Sequence, residues 1–195
     1  MTRMLAILTD NYADWEFGPL AAAARGYLDI EVVTATPDGK PVTSMGGLKV
    51  MPDLAIDEID LSTINAVVVI GGSVWDTADA PDLAGLLNAA HREGKLIGAI
   101  CGGTRALAAS GLLDAIPHTS NDSRYLAEIS GYNGQPYFVA STAALKCGRI
   151  VTAPGMAPVS FMRTIITALG RGGDELDYYA GMFGAEFEGR HQMAA

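Results

Sequence analysis

Cys101 follows the run Lys95-Leu96-Ile97-Gly98-Ala99-Ile100 and immediately precedes Gly102-Gly103-Thr104, which opens a helical stretch from Arg105 to Leu113. A cysteine at a sharp strand-to-helix turn has its side chain pushed out of the sheet, over the N-terminus of the next helix, and glycines allow the close backbone approach that such a turn needs. Free helix N–H groups and the positive end of the helix dipole favour a thiolate there, so the expected pKa shift is downward. This is the setting of a nucleophile. The competing reading is a buried cysteine at the end of a core strand, where small apolar thiols are common. A Gly71-Gly72 pair after the apolar Val67-Val68-Val69-Ile70 can bring backbone N–H groups close to a small ligand. With the N–H of Gly102 it could form an oxyanion hole beside Cys101.

The elements that would position these residues alternate along the chain. Met4 to Thr9 reads as a strand, Ala13 to Leu28 as an Ala- and Leu-rich helix, and Ile30 to Ala35 as a β-branched strand. A Pro37-Asp38-Gly39 turn leads to an extended excursion through Val42, Leu48 and Val50. Ala66 to Ile70 is a near-continuous apolar strand of the kind buried on both faces of a parallel sheet. A helix from Ala80 to Glu93 ends at Gly94, and Leu96 to Cys101 is the next buried strand. Ala143 to Cys147 and Arg149 to Ala153 form a hairpin turning at Cys147-Gly148, and helices from Val159 to Leu169 and Glu175 to Glu188 close the chain. This βαβα order predicts an α/β fold, a mostly parallel sheet with helices on both faces. Ligands bind such sheets at the carboxyl ends of the strands. Four sites fall there: Thr9-Asp10 with Glu16 soon after, Gly71-Gly72, Cys101 and Gly155.

Composition narrows the function classes. The 195 residues suit a single domain spanning 1–195, with a helical tail from about residue 173. A formal charge of −9 argues against nucleic acid as a partner, because phosphate binding wants clustered Lys and Arg. The apolar runs are too short for a membrane span, and the start lacks a signal-peptide pattern. Two cysteines, Cys101 and Cys147, make no disulfide framework, which suits a reducing cytoplasm. The three histidines and two cysteines have no metal-ligand spacing, so neither a metal nor another cofactor is expected. Cys147 reads as an exposed turn residue. Trp15 and Trp75 flank the site segments and suit a pocket wall, core packing or a subunit contact equally.

Gly71-Gly72 after a Val-rich strand, Ala99-Ile100-Cys101-Gly102-Gly103 and Asp14-Trp15-Glu16 together resemble the DJ-1/PfpI superfamily of the class I glutamine amidotransferase-like fold. Pro41-Val42-Thr43-Ser44-Met45-Gly46-Gly47 and Gly148-Arg149-Ile150-Val151-Thr152-Ala153 add to the resemblance, which runs from about Arg3 to Leu169. It implies a three-layer sandwich with a flavodoxin-like sheet and a nucleophile elbow at Cys101. It also implies that Glu16 meets the sulfur. Two like charges in contact would repel, so the implied pair shares one proton, written as a protonated Glu16 bonded to a Cys101 thiolate. Gly72 and Gly102 would donate backbone N–H groups to an oxyanion or to an oxidised sulfur. A homodimer is implied as well.

One departure bears on activity. Protease- and glyoxalase-like branches carry a histidine after a Thr-Ser pair, whereas Thr119-Ser120 is followed here by Asn121, and His118 precedes the pair. Asn121 can orient substrate or water but cannot act as a general base. No His-x-Glu pair of the glutamine amidotransferase kind follows the elbow, and His91-Arg92-Glu93 before it reads as a solvated helix segment, which argues against glutaminase activity. The expected function is a Cys–Glu enzyme acting on a small electrophilic carbonyl substrate, hydrolase or glyoxalase/deglycase-like. An isonitrile hydratase-like lyase is one alternative. Others are a non-catalytic redox or stress sensor in which Cys101 is oxidised, and a bare binding scaffold.

Overall fold

Residues 1–192 are described by the structure, a computed structural model. In chain order the elements are β1 (Thr2–Ile7), α1 (Asp14–Tyr27), β2 (Ile30–Thr36), β3 (Val42–Thr43), β4 (Lys49–Val50), β5 (Leu54–Ala55), β6 (Ala66–Val69) and α2 (Ala84–Arg92). They continue with β7 (Leu96–Ile100), α3 (Thr104–Ala109), α4 (Ser123–Ala127), β8 (Leu145–Cys147), β9 (Ile150–Ala153), α5 (Pro158–Ala168) and α6 (Asp174–Gln192).

Seven strands form the central sheet in the order β5-β2-β1-β6-β7-β9-β8, parallel throughout except that β8 runs antiparallel to β9. The apolar runs of β1, β6 and β7 lie in its middle, and their period-2 alternation divides the core into two layers. Met4, Val68, Leu96 and Ile100 face one layer, completed by Leu20 of α1, Phe161 and Ile165 of α5, and Leu176 and Tyr179 of α6. Leu5, Ile7, Val67, Val69, Ile97 and Ala99 face the other, completed by Leu87 of α2 and Leu107 of α3. Each fully buried Leu, Ile or Val contributes about 1.5–3 kcal/mol. These two clusters hold the three strands rigidly side by side and so bring their carboxyl ends together. The expected three-layer α/β sandwich is the observed fold.

Element ends differ from expectation for local reasons. The helix expected from Arg105 to Leu113 stops at Ala109, because Ser110 turns its Oγ back to the Leu107 carbonyl (2.8 Å) and Gly111 takes φ +76°. The helix expected from Ala80 begins at Ala84, whose N–H is capped by Asp82 (2.9 Å). α4 was not expected; Asp122 caps it by accepting from the Arg124 N–H at 2.8 Å. The tail helix packs on its own chain, with Tyr179 stacked 4.9 Å from Tyr27. The Phe187 side chain lies outside the described residues. Among the described residues no helix is long and apolar enough to cross a membrane.

Candidate active site

Cys101 ends β7 with φ +55°, a left-handed conformation that is strained for a residue with a side chain. It starts a single 3-10 turn, Cys101–Gly103, that runs into α3. Thr104 holds the turn by donating to the Cys101 carbonyl at 2.6 Å, and the Thr104 and Ser120 hydroxyls are bonded at 2.7 Å. This is the expected elbow.

Glu16 reaches the sulfur because the start of α1 is tied to the end of β6. The Ala13 N–H donates to the Gly71 carbonyl at 2.9 Å, and the Gly71 N–H donates back to Glu16 Oε2 at 2.8 Å. A side chain at Gly71 would collide with Glu16 Oε2 and with Cys101 Cβ, so glycine is required there for close approach. Opposite, Cys101 Sγ and Glu16 Oε1 face Gly155, at 2.8 Å and 3.1 Å from the point where its Cβ would stand. Glu16 is 0% exposed; its Oε2 accepts the Gly71 N–H, and its Oε1 faces the sulfur side of the site without a hydrogen-bond partner.

Asn121 occupies the other side of the sulfur. Its Nδ2 donates to Cys101 Sγ at 3.3 Å, while its Oδ1 accepts the Gly155 N–H at 2.9 Å. The Gly155 carbonyl in turn accepts from Trp15 Nε1 at 3.2 Å, so one residue aligns both side chains. The Gly102 backbone N–H, at the start of the turn, favours the charged form of the sulfur. A cavity of about 150 Å³ opens over Cys101, walled by Trp15, Met45, Gly72, Asp76, Asn121 and Tyr125.

Burial sets the electrostatics. It raises the Glu16 carboxyl to about 7, against which the neighbouring Cys101 thiol and the Gly71 N–H pull downward. It also raises the Cys101 thiol to about 11; the facing Glu16 carboxylate adds to the rise, and the Asn121 and Gly102 donors oppose it. The downward shift expected from the helix N-terminus is therefore overridden. α3 has only six residues, a small dipole beside the loss of solvent and a carboxylate in contact. The two groups form one coupled acid–base unit.

Cys101, Gly72 and Asn121 thus line one cavity, whereas Glu16 and Gly102 are buried next to Cys101 and are not part of its wall. Gly71, expected to offer a donor, instead has its N–H bound to Glu16. His118 is elsewhere: it is 0% exposed, with Nδ1 2.7 Å from the Ile116 carbonyl and Nε2 2.6 Å from the Tyr132 hydroxyl. A carbonyl only accepts, so Nδ1 carries the proton, Nε2 accepts from Tyr132, and burial holds the ring neutral. Trp75 is core, 3% exposed, whereas Trp15 is half exposed at the cavity mouth. Cys147 is half-buried at the end of β8 rather than exposed. Sequence reasoning missed Asp76, Tyr125 and Met45, which carry no local signal: each is an ordinary polar or apolar residue on a loop or short turn.

The DJ-1/PfpI family pattern matches residues 2–168. The uncharacterized protease YdeA of Bacillus subtilis is 34% identical over 166 residues, covering 85% of this chain and 82% of that protein. The glutathione-independent glyoxalase DJR-1.2 of Caenorhabditis elegans is 31% identical over 85 residues, 43% of this chain and 46% of that one. The crystal structure of the DJ-1 superfamily protein Atu0886 from Agrobacterium tumefaciens superposes with a TM-score of 0.93 at 42% identity, over 96% of this chain and 100% of that chain. With a seven-strand sheet of the same fold and a match across nearly its whole length, the chain belongs to the DJ-1/PfpI family.

Proposed function

We propose that this protein is a cysteine-dependent enzyme acting on small electrophilic carbonyl compounds, with Cys101 as nucleophile and Glu16 as its proton carrier. The observation that carries the reading is the burial of Glu16 against the thiol, which places its pKa at about 7, where a group can both accept and return a proton at neutral pH. Glu16 takes the proton of the thiol beside it, which yields the protonated Glu16 and thiolate implied by the family resemblance. The sulfur then adds to the carbonyl carbon as the C=O π pair moves to oxygen. Asn121 Nδ2, which donates to the sulfur in the resting site, and the backbone N–H groups of Gly72 and Gly102 would meet that oxyanion. Glu16 returns its proton to the adduct or to a leaving group. Hydrolase, glyoxalase or deglycase-like outcomes follow from what happens to this adduct, and an isonitrile would be attacked in the same geometry. The relative named as a glyoxalase supports carbonyl chemistry.

Turnover is tested by screening the purified protein against methylglyoxal, glyoxal, isocyanides and small esters, with Cys101→Ser as control. Activity lost in the variant supports the enzyme. The same donors around Sγ would also hold the oxygens of a sulfinate, which favours a redox sensor as second reading. That reading predicts no turnover and stoichiometric oxidation of Cys101. We also propose a cytoplasmic homodimer: Met45, Leu48 and Met51, on and beside the β3–β4 hairpin, are large, apolar and exposed. Light scattering that finds a strict monomer at micromolar concentration would remove it.

A further inference from the structure

The geometry points to Asp76 as a charge filter on the Cys101 cavity, which admits uncharged or cationic electrophiles and turns anionic ones away. This deepens the reading of Cys101 as the reacting group of that cavity. Asp76 ends the 3-10 turn Ser73–Asp76, just after Gly72, and its carboxylate forms part of the cavity wall. Among the described residues no Lys, Arg or His lines that wall. A substrate carboxylate would therefore enter a space with a carboxylate residue in its wall and no cation to meet it.

Asp76 is held in place by its neighbours. The Tyr125 hydroxyl donates to Asp76 Oδ1 at 2.7 Å. Burial and the adjoining Asp76 raise the Tyr125 phenol far above its ordinary value, so it stays a donor. The Arg105 guanidinium packs 4.6 Å from the centre of the Tyr125 ring and donates to the Tyr125 carbonyl and to Glu128 Oε2, each at 3.1 Å. It lies farther from Asp76, at 3.8 Å, outside the cavity lining. Arg105 thus stands between two carboxylates, and the Asp76–Arg105–Glu128 group keeps a net negative charge at the mouth. The cavity of about 150 Å³ leaves no room for a substrate anion to sit far from Asp76. Water at the mouth screens the field, since the Asp76 side chain is 55% exposed, so the filter is moderate rather than absolute.

The test uses stoichiometric alkylation, which needs no turnover and so separates this inference from the proposed enzymatic function. Iodoacetamide and iodoacetate have nearly the same shape and differ by one negative charge; with either, the thiolate forms a C–S bond and displaces iodide. Rates at Cys101 are read by peptide mass spectrometry at pH 8, with N-acetylcysteine as the free-thiol reference. Cys101 should disfavour iodoacetate about tenfold more strongly than the free thiol does, as expected for a unit charge several ångströms away across partly wet protein. Asp76→Asn should remove most of that extra discrimination. Tyr125→Phe removes the hydroxyl but leaves the carboxylate, and should preserve it. Equal discrimination at Cys101 and the free thiol, or an Asp76→Asn ratio unchanged from wild type, overturns the filter. So does loss of discrimination in Tyr125→Phe, which would trace it to the shape of the wall. A Cys101 that takes neither reagent would mean that the cavity admits no small electrophile, and overturns it as well.

Discussion

Glu16→Gln should make the folded protein more stable above neutral pH while removing the proposed proton carrier. Glu16 is 0% exposed, and burial lifts its carboxyl from 4.5 to about 7. Below the unfolded value the group is neutral in both states and contributes nothing to pH dependence. Between 4.5 and about 7 the unfolded chain has released the proton that the folded chain still binds, so stability falls as pH rises. Above about 7 the penalty is complete, and at ~1.4 kcal/mol per pH unit it amounts to about 3 kcal/mol. Glutamine has nearly the same shape, and its amide oxygen can still accept the Gly71 N–H bond now made to Oε2. It carries no charge to desolvate. The two proteins should therefore have similar stability near pH 4.5 and diverge to about 3 kcal/mol in favour of the variant by pH 8. For a chain of this size that is a rise in Tm of roughly 6–12 °C. Urea unfolding and thermal melts followed by circular dichroism, at one protein concentration from pH 4.5 to 8, measure the difference. Parallel stability curves would refute the reasoning, because they would mean that the carboxyl is not raised and that Glu16 is not a base poised near neutrality.

The same variant changes reactivity at the neighbouring sulfur. Without the Glu16 carboxylate, which adds to the effect of burial, the Cys101 thiol should titrate below about 11 and alkylate faster at pH 8, even as turnover falls; slower labelling at every pH would instead place the shared proton on Glu16 and the charge on sulfur. Asn121→Ala removes the 3.3 Å donor to Sγ and should move the pH midpoint of Cys101 alkylation upward, with Cys147 unchanged as internal control. Gly98→Ala probes the core under the elbow: its Cβ would stand 2.5 Å from Ile165 Cδ1 and 3.1 Å from Phe161 Cζ, an overpacking worth about 1–3 kcal/mol in a urea melt. A Gly98→Ala protein as stable as wild type would show that α5 moves aside freely.

Much of the fold was legible in the sequence because its signals are local. Val67, Val68 and Val69 can only be a strand buried on both faces, and Gly94, at φ +69°, ends a helix wherever that helix packs. Cys101 between an apolar strand and two glycines announced its elbow. The pairing with Glu16 came from family resemblance and not from spacing, since the two positions lie 85 apart in the sequence and no periodicity links them. The tertiary structure brought them together by placing β6 between β1 and β7, so that Gly71 touches both side chains.

It also decided what the local signals misjudged. A helix N-terminus beside Cys101 predicts a lowered pKa; the depth of the site and the carboxylate it faces raise it, and burial is a property of the whole packed chain. Asp76, Tyr125, Trp15 and the Gly155 backbone enter the site from separate loops and helix ends, and they meet only after the sheet has aligned those ends. Residue type and order determine which strands and turns can form. The distances that make a thiol, a carboxyl and a charged rim act on one another depend on packing between segments far apart in the chain.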